Sequence, residues 1–322
     1  MFGLSILSAV AITIGSFTLF IFLRQVVFKP AVCKSKRRLN GKVVLITGAN
    51  TGLGKVTAEE LAARGATVYM ACRNMEKAEQ ARQDILSKNP EAKLILIKID
   101  LNSLQSVKAC AEEFMKENSS LDILVANAGF GAFQHNLTED DIEWHLGCNH
   151  LSHFYLIRLL LPCLRKAGTE SLKSRIVVVS SKAHWGSGNL DYDSLQRGKH
   201  WHAYGQSKLA NILFCRHLSK LLVGENITVN SLHPGVIFTD FPRHIMPVPK
   251  IFLAPFKLMT LTPLQGAQTQ IWAAVDESLE GVSGKFFAGC AEASTSSCAK
   301  NEEEAEKLWR WSCSKTRLPL DL

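Results

Sequence analysis

Apolar and polar positions follow two periods that alternate along the chain. Short apolar runs, of the kind found in strands buried on both faces of a parallel sheet, occur at 42–47, 67–71, 94–98, 122–126 and 175–179. Apolar residues at helical spacing fill the stretches between them, at 55–64, 75–88 and 103–117. The alternation of strand and helix predicts an α/β fold, a doubly wound, Rossmann-type parallel sheet with helices on both faces.

The second half continues the pattern. Helical spacing predicts helices from about 139 to 165, from 204 onward and from 265 to 275, and 284–287 is predicted as a final strand. Asn301 followed by three glutamates predicts a helix start, because acidic residues stabilise the positive end of a helix.

The N-terminal stretch has a different pattern. Residues 2–23 contain no charged side chain and are long enough to cross a bilayer as a helix, with a signal peptide or a buried helix as the alternatives. We therefore predict a membrane anchor at 1–23, a basic juxtamembrane linker at 24–39 and one catalytic domain at 40–322. The cations that follow the anchor predict a domain on the cytosolic side.

Composition adds three constraints. The chain has 322 residues, 47% of them hydrophobic, so it can bury a full core. The formal net charge is +8, and most of the excess comes from the juxtamembrane cations Arg24, Lys29, Lys34, Lys36, Arg37 and Arg38. This basic flank suits a membrane surface and argues against nucleic acid as a partner. The nine cysteines lack CxxC spacing and are interpreted as reduced thiols.

The first predicted strand leads directly into a glycine-rich turn and a helix. Glycines let a backbone approach a pyrophosphate closely, and the helix N-terminus offers free N–H groups. The alternative is an ordinary tight turn. The predicted phosphate-binding residues are Gly48, Asn50, Thr51, Gly52, Leu53 and Gly54.

The residue that follows the second predicted strand indicates which nicotinamide cofactor binds. An acidic residue there would bind the ribose 2'-hydroxyl of NAD, whereas an arginine suits the 2'-phosphate of NADP. Arg73 occupies this place, so we predict NADP(H), with a solvated arginine as the alternative. Ligands of such sheets bind beyond the carboxyl ends of the strands, where further predicted cofactor-binding residues follow, namely Asp100, Leu101, Asn127, Ala128 and Gly129.

Two side chains four residues apart carry the candidate chemistry. Tyr204 and Lys208 share one helical face, and a nearby ammonium is expected to lower the pKa of a phenol. Ser181 follows the strand at 175–179 and is expected at the same sheet edge. His150 and His153 have the spacing of metal ligands, but no third ligand is evident, so packing is preferred and no metal is predicted.

These motifs, in this order and spacing, resemble the short-chain dehydrogenase/reductase superfamily over residues 40–312. The resemblance rests on the glycine turn, Asn127-Ala-Gly129, Asn149, Ser181, Tyr204-x-x-x-Lys208 and His233-Pro-Gly235. Within the superfamily, Ala71-Cys-Arg-Asn74 and Asn149-His-Leu-Ser-His-Phe154 resemble the membrane-anchored retinol dehydrogenases, and the catalytic domain of the WW-domain-containing oxidoreductase is also similar. One departure is Ser152, where that subgroup usually has glycine.

The resemblance implies roles for the catalytic residues. Tyr204 would be the general acid for carbonyl reduction or the base for alcohol oxidation, and Ser181 would hydrogen-bond the substrate oxygen. Lys208 would hold the nicotinamide ribose, and Asn149 would complete a proton relay. Further cofactor contacts are implied for Pro234, Gly235 and Thr239.

Substrate and partners follow from the same resemblance. Residues 236–263 are apolar and interrupted by prolines, and we interpret them as a lid over a lipophilic substrate, in contact with the bilayer. Retinoids, steroids and long-chain aldehydes are the candidate substrates. The expected location is the endoplasmic reticulum membrane, and a homodimer through the helices carrying Asn149 and Tyr204 is expected. The competing function is a membrane-tethered nucleotide-binding scaffold without turnover.

Overall fold

Short apolar runs that end in a glycine or a polar residue produce the strands of a single sheet. In the computed structural model the strands are β1 (Val43–Thr47), β2 (Thr67–Cys72), β3 (Lys93–Lys98), β4 (Ile123–Ala126), β5 (Ser174–Val179), β6 (Ile227–His233), β7 (Phe286–Ala288) and β8 (Ala291–Glu292). Their order is β3-β2-β1-β4-β5-β6-β7-β8. Strands β1 to β7 are parallel, and β8 pairs antiparallel with β7. The predicted Rossmann-type sheet is confirmed, and its order reverses at β1 and β4, where such sheets form a ligand crevice.

Helices connect the strands. They are α1 (Gly52–Ala63), α2 (Met75–Leu86), α3 (Leu104–Glu117), α4 (Ser152–Ala167), α5 (Ala203–Leu221), α6 (Pro263–Gly266), α7 (Gln268–Val275) and α8 (Glu302–Thr316). Short 3-10 helices occupy Lys182–Gly186, Glu277–Leu279 and Cys298–Lys300. As predicted, α8 begins after Asn301, whose side chain accepts a hydrogen bond from the backbone N–H of Glu304.

The structure describes residues 30–132, 134, 136–192, 202–237 and 260–322. The predicted anchor at 1–23, residue Thr239 and most of the predicted lid, 238–259, lie outside these residues. No helix within the described ranges is long and apolar enough to cross a bilayer.

Two apolar cores lie on opposite faces of the sheet. One face is covered by α1, α2 and α7, with Leu61 and Ile271 buried in it. The other is covered by α3, α4, α5 and α8, with Phe114 and Phe154 at its centre. Because both faces are covered, the central strands are apolar throughout, and this explains why the sequence shows continuous runs instead of alternation.

The helix before β5 begins later than its pattern predicts. Helical spacing starts at about 139, but the first helical turn is Trp144–Leu146. A π-helical turn, Gly147–Leu151, then leads into α4. The π turn carries Asn149, and single π turns of this kind are frequent at functional sites.

Local polar side chains delay this helix start. The hydroxyl oxygen of Thr138 accepts a hydrogen bond from the backbone N–H of Ile142 at 3.2 Å, and Asp141 adopts a φ of 58°. The carboxylate of Glu143 accepts a hydrogen bond from the backbone N–H of Leu146 at 2.8 Å and so caps the first turn. A hydroxyl that closes a turn competes with the helix for the same backbone groups.

The C-terminal helix covers the outer sides of α4 and α5. The ring centroid of Trp309 lies 5.2 Å from that of Phe154 and 6.2 Å from that of Phe214. Arg158 lies 4.8 Å from the Trp309 ring and donates a hydrogen bond to the carbonyl of Asp321 at 2.6 Å. Because α8 packs on α4 and α5, a homodimer formed through these two helices would have to accommodate α8. The homodimer stays a prediction.

Candidate active site

The glycine turn after β1 is shaped for close approach of a ligand. Gly48 and Gly52 have φ angles of 66° and 54°, in the left-handed region that favours glycine. A Cβ atom at Gly54 would collide with the carbonyl oxygen of Gly48. Thr51, at the N-terminus of α1, makes no side-chain capping hydrogen bond. With Asn50 and Leu53 on the same turn, this cradle fits a pyrophosphate beside the helix N-terminus.

A threonine that the sequence reasoning did not select holds β1 to β4 at the crevice. The Thr47 hydroxyl oxygen accepts hydrogen bonds from the backbone N–H groups of Asn127 and Ala128, both at 3.0 Å. The Asn127 side chain donates to the Thr47 carbonyl at 2.8 Å. These bonds place the predicted cofactor-binding residues Asn127 and Ala128 directly beside the glycine turn.

The loop after β3 contains the next predicted residues. A carboxylate oxygen of Asp100 accepts a hydrogen bond from the backbone N–H of Asn102 at 3.0 Å. The carbonyl of Leu101 accepts a hydrogen bond from the Ser152 hydroxyl at 2.6 Å. Ser152 therefore ties the first turn of α4 to this loop.

Two cations lie at the ends of β2 and β3. Arg73 is exposed immediately after β2, and the ammonium of Lys98 donates to the carbonyl of Arg73. Cys72 and Lys98 are register partners in the paired strands. Lys98 was not selected from the sequence, because only strand pairing brings it beside Arg73. Together they form a cationic corner that fits a phosphate monoester.

Asn149 is buried, and its side-chain amide is fully engaged. Its Nδ2 donates hydrogen bonds to the Phe130 carbonyl and to the Ser207 hydroxyl, both at 3.0 Å, and its Oδ1 accepts one from the Phe130 backbone N–H at 3.0 Å. The Ser207 hydroxyl in turn donates to the Tyr204 carbonyl at 2.8 Å. The loop after β4, the π turn and α5 are thus joined at one residue. Ser207 is a further residue that sequence reasoning missed.

Lys208 is buried next to this network. Its Nζ donates a hydrogen bond to the Val179 carbonyl at 3.0 Å, and burial lowers its pKa from 10.5 to about 8. A Cβ atom at Gly129 would lie 3.1 Å from both the Lys208 Nζ and the Asn149 Oδ1. Gly129 therefore leaves the space in which these two side chains meet.

Tyr204 lies at the start of α5 with its phenol hydrogen-bonded to Ser181. Burial raises the pKa of Tyr204 above its ordinary value of 10.0, and the hydrogen bond to Ser181 offsets this in part. The expected lowering of this pKa is not found, since its net shift in this structure is upward. The Lys208 Nζ lies 5.7 Å from the ring centroid and donates its hydrogen bond to the Val179 carbonyl, and desolvation of the phenol is the largest influence on its pKa.

The two histidines with metal-ligand spacing are part of the packing. The ring nitrogens of His150 contact Asn211 and Ser312, and those of His153 contact Thr47 and the Asn149 carbonyl. Burial lowers the pKa of His150 to about 3 and that of His153 to about 4, so both rings are neutral. No cluster of potential metal ligands occurs in the described part of the chain.

A buried carboxylate and imidazole support the loop that faces Tyr204. The Nδ1 of His145 lies 2.7 Å from a carboxylate oxygen of Glu143, and its Nε2 accepts a hydrogen bond from the Ala132 backbone N–H at 2.9 Å. The His145 ring stacks on Phe130 at 5.1 Å and lies 6.4 Å from the Tyr204 ring. Nothing in the local sequence marks this pair, since its role depends on the loop that folds over it.

The last predicted cofactor contacts follow β6. Pro234 and Gly235 come directly after His233, the last residue of β6, and Gly235 has a φ of 93°. Thr239 belongs to the residues that the structure does not describe. All other predicted site residues lie around the carboxyl edge of the parallel strands, where a cofactor and a substrate can bind side by side.

This fold and this arrangement of tyrosine, lysine, serine and asparagine define a class of oxidoreductase. The family model for short chain dehydrogenases matches residues 42–247. The chain therefore belongs to the short-chain dehydrogenase family, which binds a nicotinamide cofactor.

Within that family the chain groups with the retinol dehydrogenases. It is 43% identical to human retinol dehydrogenase 11 over 293 residues, which cover 90% of each chain. The structure of an uncharacterized protein from Mycobacterium paratuberculosis is similar, with a TM-score of 0.70, 33% identity and coverage of 88% of this chain and 97% of that one. The NADP complex of Pseudomonas aeruginosa RhlG aligns with a TM-score of 0.63 and 26% identity over 79% of this chain and 96% of that one.

We expect Gly54→Ala to weaken cofactor binding by about tenfold or more, because the new Cβ displaces the Gly48 carbonyl and opens the cradle. Gly186→Ala is the matched control, since a Cβ there meets nothing within 4 Å. Cofactor dissociation constants from fluorescence titration would test this. Equal affinity in the two variants would contradict the assignment of the turn.

Proposed function

We propose that this protein is an NADP(H)-dependent oxidoreductase that interconverts a lipophilic alcohol and its aldehyde or ketone. The observation that carries the proposal is the convergence of the Tyr204 phenol, the Ser181 hydroxyl and the Lys208 ammonium beside the loop after β4, which itself adjoins the glycine turn. Retinoids, steroids and long-chain aldehydes are the candidate substrates. The similarity to proteins named retinol dehydrogenase supports the retinoid-like class.

The chain supplies the proton chemistry and the positioning. A nicotinamide cofactor bound along the glycine turn would supply or accept the hydride. In carbonyl reduction, Ser181 donates a hydrogen bond to the substrate oxygen while Tyr204 transfers its phenolic proton to the same oxygen. Lys208 stabilises the negative charge left on the phenol, and Asn149 holds the loop after β4 in register with α5. Alcohol oxidation uses the same groups in reverse.

The remaining contacts would hold the cofactor. The glycine turn, with Gly48, Asn50, Thr51, Gly52, Leu53 and Gly54, would bind the pyrophosphate. Arg73 would bind the 2'-phosphate, with Lys98 beside it. The other predicted residues would contact the adenine and nicotinamide ends of the cofactor; they are Asp100, Leu101, Asn127, Ala128, Gly129, Pro234, Gly235 and Thr239. The NADP complex of RhlG, a member of the same fold class, supports this choice of cofactor.

Membrane attachment completes the proposal. The uncharged stretch at 2–23 would anchor the protein in the endoplasmic reticulum membrane, with residues 24–39 as the juxtamembrane segment and 40–322 as the catalytic domain on the cytosolic side. The apolar segment 236–263 would close over the substrate. A homodimer remains part of the proposal.

We expect Tyr204→Phe to lower the rate of NADPH-dependent reduction of retinal by a factor of about 100 to 10,000, because the variant lacks the transferable proton. Cofactor affinity should stay within about twofold of the parent, since the ring and the backbone are kept. Tyr155→Phe, on α4, is the control and should keep full turnover. Steady-state rates of the detergent-purified protein provide the measurement.

Undiminished turnover in Tyr204→Phe would end the proposed mechanism. Tight NADPH binding without turnover of retinal, steroid ketones or long-chain aldehydes by the parent protein would instead support the scaffold alternative.

The pH dependence of kcat/KM should reflect the ionisation of the buried Lys208. With the pKa of Lys208 at about 8 and that of Tyr204 raised above its ordinary value, kcat/KM for reduction should be level below about pH 8 and fall above it. The fall follows from loss of the Lys208 charge while Tyr204 keeps its proton. In Lys208→Met, kcat/KM for reduction should be lower than in the parent and should not change with pH over the same range. A matching fall in that variant would assign the ionisation to another group.

We expect Arg73→Ser to weaken NADP binding by about 10- to 100-fold with little effect on NAD, because a charge-assisted hydrogen bond to the 2'-phosphate is lost. Arg310→Ser, on the exposed side of α8, is the charge-matched control. Titration with both cofactors gives the result. A parent protein that prefers NAD, or an Arg73→Ser variant with unchanged NADP affinity, would contradict the cofactor assignment.

A further inference from the structure

The segment before β1 is packed against the domain as a strap. The backbone N–H of Cys33 donates to the side chain of Gln268, the first residue of α7, at 3.0 Å. The Ser35 hydroxyl donates to the carbonyl of Val275, the last residue of α7, at 3.5 Å. Residues 30–39, called the strap below, therefore run along α7 from its beginning to its end.

The strap begins at the sheet edge that carries the site. Helix α1 starts beyond the carboxyl end of β1, so its last residues lie at the opposite edge. Arg64, directly after α1, donates to the carbonyl of Arg37 at 3.0 Å and accepts from the backbone N–H of Leu39 at 2.8 Å. The end of the strap is thus at the amino edge. The beginning of the strap is at the carboxyl edge. There the Cβ of Ala31 lies 4.0 Å from the position that a Cβ on Gly289 would take, and Gly289 directly follows the carboxyl end of β7.

Exposed apolar side chains occur on the strap and on two segments that hydrogen bonds connect to its start. Val32 is 59% exposed, Val236 is 67% exposed and Leu264 is 62% exposed. Hydrogen bonds connect the segments that carry these side chains. The Gln268 side chain, which binds Cys33 of the strap, also donates to the Leu264 carbonyl at 3.0 Å. The backbone N–H of Leu261 donates to the Val236 carbonyl at 2.8 Å. Three large apolar side chains at one edge form a surface that water solvates poorly.

Cations accompany this apolar surface. Lys34 and Lys36 are exposed on the outer side of the strap. Arg37, in contrast, is turned inward and paired with Glu280. An apolar surface flanked by exposed lysines fits the interface of a bilayer that contains anionic lipids.

The tether limits where this surface can lie. Residues 24–29 connect the uncharged stretch to the start of the strap, and a chain of that length spans about 20 Å when fully extended. If residues 2–23 cross the bilayer, as proposed above, the start of the strap stays within that distance of the lipid headgroups. The carboxyl edge of the sheet is then held near the membrane.

We propose that Val32, Val236 and Leu264 form a membrane-docking surface that presses the carboxyl edge of the sheet against the bilayer holding residues 2–23. The proposal rests on the anchor stated under the proposed function. It implies that the sheet edge carrying Ser181 and Tyr204 faces the lipid, so that a lipophilic substrate enters the site from the bilayer without crossing water.

Photocrosslinking of the full-length chain in vesicles tests the docking surface. The vesicles contain phosphatidylcholine with about one fifth phosphatidylserine. p-Benzoylphenylalanine replaces either Leu264 or Val223, a control residue that is 81% exposed and follows the end of α5 at the opposite edge. After irradiation, lipid adducts are quantified by mass spectrometry, and we expect about tenfold more adduct at 264 than at 223.

Flotation of the same vesicles separates the two proposals. A chain that floats but gives equal adduct at 264 and 223 overturns the docking surface and leaves the anchor standing. A chain that does not float overturns both.

Kinetics give a second, independent readout. Leu264→Asp should raise KM for a long-chain aldehyde dissolved in the vesicles by about tenfold, because a carboxylate opposes contact with the lipid. The KM for a short water-soluble aldehyde should not change, and Val223→Asp should change neither. Equal effects of Leu264→Asp on both aldehydes would indicate damage to the site and overturn the docking surface.

Discussion

A buried ammonium is the constraint on which the rest of the site depends. Removing a charge from water is costly, and the lowered pKa of Lys208 reflects that cost. The Val179 carbonyl offsets part of this cost by accepting a hydrogen bond from Nζ. The Ser180 hydroxyl donates to the backbone carbonyl of Lys208 at 2.6 Å and so joins the end of β5 to α5. Gly129 leaves room for the ammonium because any larger residue would fill the space. The end of β5, the loop after β4 and α5 therefore meet around this ammonium, next to Tyr204 and its hydrogen-bond partner Ser181.

The sequence predicted the parts of this arrangement that depend on local pattern. The strands, the glycine turn and the Tyr204–Lys208 face follow from apolar runs and fixed spacing, and the sheet edge at which they meet follows from parallel pairing. What could not be predicted depends on contacts between distant segments. Thr47 and Ser207 act through hydrogen bonds to other elements, and the Glu143–His145 pair needs the loop at 130–132 to cover it. The late helix start arose because the Thr138 hydroxyl closes a turn that apolar spacing does not reveal.

The direction of the Tyr204 pKa shift shows the same limit. Four-residue spacing indicates that a lysine is near a tyrosine, but the pKa also depends on how much water each group loses. In the structure the phenol is desolvated and the ammonium is directed to a backbone carbonyl, so the pKa of the tyrosine rises. A phenol that keeps its proton at neutral pH is suited to act as an acid. The raised pKa of Tyr204 is consistent with the proposed role of this residue as a general acid in carbonyl reduction.

The topology of the sheet bears on the proposed membrane anchor. In a parallel sheet every catalytic loop lies at one edge, and a chain that enters from the opposite edge would place the site far from an N-terminal anchor. Here the strap crosses the full length of α7 before β1 begins, so the chain enters at the catalytic edge although its first strand starts at the other one. The strap is held by Gln268 at its start and by Glu280 near its end, and so its direction is built into the fold. If residues 2–23 cross a bilayer, as proposed, a strap of this direction would hold the carboxyl edge of the sheet close to that bilayer and so shorten the path of a lipophilic substrate to the site.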